Sequence, residues 1–211
     1  MDPSTVSILI GLPICAYLLG SIPFGLVLTR LFTSIDIRQH GSGNIGATNV
    51  RRLAGTPLGL LTLAGDVLKG AVPVYIAGVV AVPEILPRET YTSLVAMAVF
   101  LGHLYPVYMK FKNGGKGVAT AFGCISVIAS SAVFTALIAF ALVLWLSNRV
   151  SAGSLTAAAA LPPTVWWATK AASFTGCALF MAVFIFIRHR DNIKRLIDGT
   201  ESGFRNKSKE P

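Results

Sequence analysis

The densest chemistry in this chain lies between Gly41 and Arg52, in the run GSGNIGATNVRR. Gly41, Gly43 and Gly46 let backbone N–H groups come close to a ligand, and Ser42, Asn44, Thr48 and Asn49 add short hydrogen-bonding side chains. Arg51 and Arg52 add two permanent cations. Together these are the donors of a phosphate or carboxylate receptor. A second cluster, KFKNGGKG from Lys110 to Gly117, supplies Asn113, Gly114, Gly115 and Lys116. Lys116 taken alone reads as an interfacial lysine whose ammonium reaches for water; its flanking glycines favour a phosphate contact. A third cluster begins at Arg188. His189 is the best acid/base candidate by type, since free imidazole titrates at about pH 6.5. A histidine at a helix end is equally a surface residue. Asn192, three residues on, shares its helical face.

Several other chemistries are disfavoured. GSGNIG matches the dinucleotide-binding pattern GxGxxG, and Asp66 stands at a suitable distance for the ribose carboxylate. The apolar run before it is too long for a strand, however, and nothing nearby alternates with period two. GGKG is followed by Val118, and the lysine itself by Gly117 where a Walker loop needs Ser or Thr. Only Asp36, Asp66, Asp191, Asp198 and Glu201 fall near the polar clusters, too few for a glycosidase pair or a magnesium or zinc centre. No metal site and no cofactor are expected. Cys15, Cys124 and Cys177 lie inside apolar runs, which makes them packing residues.

The elements that hold these clusters are membrane helices. Of 211 residues 54% are apolar and 13% charged, and the mean hydropathy is +0.68, outside the range of soluble domains. The sequence predicts an all-α polytopic membrane protein. Spans are expected at about residues 6–31, 57–82 and 90–109, two from the apolar run 118–146 turning near Ser130 and Ser131, and two more at 151–169 and 171–187. Pro162 and Pro163 are expected to kink or end the sixth. Asp66 and Lys69 form an i,i+3 pair in the second span, read as structural.

Charge decides the count of spans. With seven, the N-terminus is outside and fifteen of the eighteen Lys and Arg share the cytoplasmic side. The net charge of +9 is thus topology and does not call for nucleic acid. Several spans are short, so a thin or partly re-entrant body is expected. One transmembrane domain occupies residues 1–199, followed by a basic, solvated and disordered tail at 200–211. The topology gathers the glycine-rich loops into an anion-binding basin at the cytoplasmic face.

GSGNIGATNVRR, GHLYPVYMKFKNGGKGVAT at 102–120 and the region from Arg188 to Glu201 resemble three signatures of the bacterial acyl-phosphate:glycerol-3-phosphate acyltransferases, integral membrane proteins of about this length. GDVLKG at 65–70 resembles a further stretch of that family. The resemblance covers most of the chain. It implies transfer of a fatty acyl group from acyl phosphate to the sn-1 hydroxyl of glycerol 3-phosphate, giving lysophosphatidate and phosphate. That reaction opens phospholipid synthesis at the bacterial inner membrane, and it uses neither acyl-CoA nor acyl carrier protein.

Carried over by motif, Ser42, Gly43, Asn44, Asn49, Arg52, Gly114, Gly115 and Lys116 bind phosphate, and His189 with Asn192 holds the glycerol phosphate. Ser154 joins them less securely, because NRVSAGS at 148–154 lacks the aromatic expected before Val150. Arg52, Lys116 and His189 are the catalytic candidates. The expected mechanism is direct attack without an acyl-enzyme, the hydroxyl proton passing to His189 or to a phosphate oxygen of the donor. The alternative from another class is an organic-phosphate permease with the same basic loops lining a vestibule.

Overall fold

The computed structural model describes residues 7–80 and 86–205. A π-helical turn at Ser7–Gly11 leads into ten α-helices among these residues: α1 (Leu12–Gly20), α2 (Phe24–Phe32), α3 (Ala47–Ala54), α4 (Thr56–Val79), α5 (Arg88–Leu104), α6 (Val118–Ile128), α7 (Ser130–Ser147), α8 (Val150–Thr169), α9 (Ala172–Arg188) and α10 (Arg190–Ile197). No strand occurs among the described residues, which disposes of the dinucleotide-binding reading of the glycine loop.

Three helices have the length and apolarity to cross a bilayer unaided: α4, α7, and α5 carried on to Met109. Two bent pairs meet the same requirement, α1 with α2 at 44° and α9 with α10 at 60°. Pro23 lies in the first break, where its missing N–H interrupts the helical ladder. The apolar run 118–146 is divided as expected near Ser130: α6 stops at Ile128, Ala129 is extended, and α7 begins at Ser130. α6 is short, at 11 residues.

With lipid as solvent, apolar side chains face both ways, and small residues decide where helices meet. α4 and α6 interlock this way. A Cβ on Gly123 would run into the Val67 carbonyl, and one on Gly70 into the Thr120 carbonyl. The main core surrounds α5, whose Val95, Val99 and Phe100 are fully buried, and is closed by Cys124, Met181 and Ile185 from α6 and α9. Leu142, Leu179 and Val183 stay exposed, as lipid-facing positions should.

Asp66 and Lys69 pair as expected, Nζ to Oδ1 at 2.8 Å, and the same ammonium donates to the Ile22 carbonyl at 2.8 Å. α4 is thereby fastened to the break between α1 and α2. α7 and α8 form a hairpin through Asn148, which takes the left-handed conformation at φ 57°. Trp145 near the end of α7 and Trp166 with Trp167 near the end of α8 are exposed, so the indoles mark opposite ends of the hairpin.

Of the two outcomes expected at Pro162 and Pro163, a kink or an end, the second does not occur: α8 runs through both to Thr169, packed against α7 and α9 where the ladder bonds are lost. One expectation is corrected. Cys15 is exposed rather than packed inside, whereas Cys124 and Cys177 are buried. Of the tail expected to be solvated, residues 206–211 lie outside the described residues, while Glu201 to Arg205 bond to the body.

Candidate active site

The first glycine loop is pinned from below and shaped from within. Ile37, Ile45 and Val50 join Leu26 of α2 in a small buried cluster apart from the main core. Asn49, 2% exposed, does the shaping. Its amide nitrogen donates to the carbonyls of Ile37 at 3.1 Å, Asn44 at 3.0 Å and His40 at 3.3 Å. Its Oδ1 accepts from the Ser42 N–H at 3.0 Å. Gly41 and Gly43 have φ of 60° and 66°, in the left-handed region that favours glycine. Asn44 caps the turn, its Oδ1 accepting from Gly46 N–H at 2.9 Å. The chain then enters α3, whose first residues, Ala47 and Thr48, lie on a cavity wall with no side chain capping that end.

The second glycine cluster is held by two partners absent from the motif-based reading. The Gly115 N–H donates to the His103 carbonyl at 3.1 Å. A Cβ on Gly115 would collide with the His103 imidazole beneath it. Arg188 reaches over to donate to the carbonyls of Gly114 at 2.5 Å and Gly115 at 3.2 Å. Gly114 and Gly115 therefore act through their backbones and do not themselves line the cavity. Their role is to deliver Lys116, whose Nζ donates to Asn192 Oδ1 at 2.6 Å. Gly43 likewise lies outside the lining, its N–H given to the His40 carbonyl.

The break after α9 presents His189 and Asn192, 3% and 6% exposed. His189 Nδ1 donates to the Ile185 carbonyl at 2.8 Å, an arrangement that leaves Nε2 with the lone pair. Burial, followed by the neighbouring Lys116 charge, pushes this imidazole down to about 4, so it is neutral at pH 7. Lys116 is pulled down to about 8, first by burial, with Glu201 opposing the shift.

Glu201 is the hub of this corner. Its Oε1 accepts from Ser151 at 2.7 Å and from Asn192 Nδ2 at 2.6 Å, while Oε2 pairs with Arg195 at 2.7 Å. Burial would raise its carboxyl, but these donors together hold it below the usual carboxylate range. One chain of contacts thus runs from Ser151 through Glu201 and Asn192 to Lys116. Sequence reasoning noted Glu201 only as a nearby carboxylate and missed Ser151, although Ser151 and Ser154 stand one helical turn apart.

Ser42, Asn44, Arg52, Lys116, His189 and Asn192 border one cavity of about 700 Å³, together with Ser151 and Ser154 of α8 and Glu201. Leu63, Val133, Leu137, Phe140 and Leu161 line the remainder. Arg52 has no ion-pair partner among the described residues. Asn49 touches the same wall, and its amide is engaged by the backbone of the loop. Among the described residues no three of His, Cys, Asp and Glu gather as a metal site would require.

A helical body with spans long and apolar enough to cross a bilayer, and a cavity lined by both cations and apolar side chains, defines the class: integral membrane proteins with an amphipathic binding cavity. The family described as glycerol-3-phosphate acyltransferase matches residues 10–199, and the chain belongs to it. It is 49% identical over 192 residues to the glycerol-3-phosphate acyltransferase of Syntrophotalea carbinolica, covering 91% of this chain and 95% of that one. It is 45% identical over 208 residues to that of Geotalea daltonii, covering 96% and 98%. Among solved structures it resembles PlsY (YgiH), an integral membrane glycerol 3-phosphate acyltransferase, in its glycerol 3-phosphate form, with TM-score 0.83, 36% identity and coverage of 92% and 94%. The lysophosphatidic acid form of the same enzyme gives TM-score 0.81 at 36% identity.

Proposed function

We propose that this protein transfers a fatty acyl group from acyl phosphate to the sn-1 hydroxyl of glycerol 3-phosphate, giving lysophosphatidate and phosphate. The observation that carries the reading is that one cavity is lined both by the cations Arg52 and Lys116 and by apolar side chains such as Leu137, Phe140 and Leu161. A donor with a charged head and a hydrocarbon tail fits that lining. The related crystal structures, named for glycerol 3-phosphate and lysophosphatidic acid forms, agree with such an acceptor and product.

The chemistry asks little covalent work of the protein. Acyl phosphate is a mixed anhydride with a good leaving group, so alignment and neutralisation of two crowded phosphates suffice. Ser42, the glycine loop, Arg52 and Lys116 hold phosphate oxygens. Asn192, His189 and Ser154 orient the glycerol phosphate. The acceptor oxygen bonds to the acyl carbon, the carbon–oxygen bond to phosphate breaks, and phosphate departs.

The hydroxyl proton passes to a phosphate oxygen of the donor. His189 supports this choice, because an imidazole pushed down to about 4 is a weak base, yet its Nε2 can still accept the hydroxyl's hydrogen bond and aim it. Neither acyl-CoA nor acyl carrier protein takes part. The chain crosses a bacterial inner membrane seven times, α1 with α2 as the first crossing and α4 to α9 as the rest, with the N-terminus outside. Substrate reaches the basin from the cytoplasm, and the acyl chain enters from the bilayer.

The test is phosphate release by purified protein given palmitoyl phosphate with and without glycerol 3-phosphate. Release that depends on the acceptor, matches lysophosphatidate formed, and is lost in Arg52→Ala and Lys116→Ala with the fold intact is expected. No acceptor-dependent release from folded wild-type protein would overturn the reading and turn attention to labelled glycerol 3-phosphate uptake in proteoliposomes.

A further inference from the structure

Residues 201–205 follow α10 as a strap, of which Glu201, Ser202, Gly203 and Phe204 line the cavity. Its bonds go to three separate parts of the chain. Glu201 holds Ser151 of α8 and Asn192 and Arg195 of α10. The Phe204 N–H donates to the Asn148 carbonyl at 2.8 Å, and the Arg205 N–H to Asn148 Oδ1 at 3.0 Å. On the far side the Arg51 guanidinium lies over the Phe204 ring, 3.8 Å from its centroid, and Arg51 Nη2 donates to the Phe204 carbonyl at 3.0 Å. These partners are 153 residues apart in sequence. Ser202, Gly203 and Phe204 all line the cavity, as do Arg51 and Arg52.

The two adjacent arginines therefore have different tasks. Arg52 makes no ion pair among the described residues and is available to an anion. Arg51 has its flat face covered by an aromatic ring and one of its five N–H groups engaged by the strap. Its stem is fixed too, because Gly59 of α4 packs against Arg51 so closely that a Cβ there would meet the Arg51 Cα and Cβ. Arg51 is anchored at its base and clasped at its tip.

We infer that Arg51 and Phe204 form a clasp that holds the strap across the mouth of the basin, positioning the acceptor and keeping water from the donor. A mixed anhydride is open to attack by water as well as by the glycerol hydroxyl, so a closed mouth decides how much donor is wasted. Phe204 and Arg51 are positioning residues, since neither is required to touch the reacting carbonyl. The second part of this inference rests on the acyl-phosphate reading of the donor; the first requires only that glycerol 3-phosphate binds in the basin.

Two measurements separate those parts. Binding of glycerol 3-phosphate alone, by calorimetry on the detergent-purified protein, needs no donor. Phe204→Ala and Arg51→Ala should weaken it about tenfold, the scale of a partly desolvated cation–aromatic contact with its hydrogen bond. With palmitoyl phosphate supplied, the ratio of phosphate released to lysophosphatidate formed should be one in wild type and above one in both variants. KM for the acceptor should rise more than kcat falls, and Phe204→Trp should restore both readouts. A chain ending after Arg205 should behave as wild type, and one ending after Glu201 should leak like Phe204→Ala.

Wild-type affinity and a ratio of one in Phe204→Ala would overturn the clasp. If that variant loses its thermal transition, Phe204→Leu, which keeps apolar packing without an aromatic face, decides by the same two numbers. Wild-type protein that binds glycerol 3-phosphate but never uses palmitoyl phosphate would sink the donor assignment, and the binding measurement would then judge the clasp by itself.

Discussion

Replacing Asn49 tests whether the first glycine loop is a preformed receptor. The side chain is 2% exposed, and its amide meets four backbone groups: the carbonyls of Ile37, His40 and Asn44, and the Ser42 N–H. In Asn49→Ala all four lose this partner. A buried orphan costs about 1–3 kcal/mol, and groups that water can reach cost less. The loop borders an open cavity, so the low end applies to most of them and the total is about 2–4 kcal/mol.

That cost falls on the ordered form of the loop, so in the variant part of the substrate's binding energy is used to restore it. At about 1.4 kcal/mol per factor of ten, kcat/KM for glycerol 3-phosphate should drop about 30- to 1000-fold. The measurement is phosphate release at saturating palmitoyl phosphate with the acceptor varied, beside a thermal unfolding curve. Because the core around α5 is untouched, the protein should stay folded. Asn49→Asp should be no better, since it keeps the acceptor for Ser42 but turns an anionic oxygen toward three carbonyls. If Asn49→Ala kept kcat/KM within about threefold of wild type, a receptor shaped by this amide would be refuted.

The remaining predictions concern charge and fit. Lys116 loses its proton near pH 8 in the empty site, so kcat/KM should fall as pH rises through about 8, and Lys116→Arg should abolish that limb at a lower rate. Its folded value lies below the ordinary 10.5, so between about 8 and 10.5 the unfolded chain binds more protons and the substrate-free protein should gain stability as pH rises, by thermal unfolding across that window. Gly115→Ala should raise KM for both phosphorylated substrates, because its Cβ meets the His103 imidazole; in a double-mutant cycle with His103→Ala the losses should be less than additive. Asp66→Asn leaves the buried Lys69 ammonium without its carboxylate and should cost about 3–5 kcal/mol, seen as a lowered unfolding temperature, with Asp66→Asn/Lys69→Met less damaged than the single variant.

What could be read beforehand follows from what the residues must do locally. A polar, glycine-rich run in an apolar chain has few uses, so the loop 41–52, Lys116, His189 and Asn192 stood out by type and were found on one cavity. The i,i+3 spacing of Asp66 and Lys69 was enough for their ion pair. The break near Ser130 was inferred from the distribution of basic residues, although nothing in the run itself signals a turn.

Long-range partners stayed hidden. The segment 200–205 has the composition of a solvated end and becomes ordered because Glu201 meets Ser151, 50 positions away, and Phe204 meets Arg51. His103 lies within the second motif stretch without a role of its own there, and its place beneath Gly115 depends on how α5 and the next loop fold back on each other. Asn49 has the right chemistry for a ligand contact, and only the loop's own conformation shows that its bonds turn inward.

Two cations that line the cavity, Arg52 and Lys116, have no carboxylate partner among the described residues. Lys116 is buried enough to lose its proton near pH 8 with only an amide oxygen at 2.6 Å. His189 is driven neutral beside it. A desolvated cation without a carboxylate partner is costly in an apolar body, and an anion that binds it lowers that cost. Two phosphates brought together repel each other, and each supplies what the protein's cations want. Glu201 bonds to Asn192 and does not pair directly with Lys116, which leaves that cation without an ion-pair partner among the described residues.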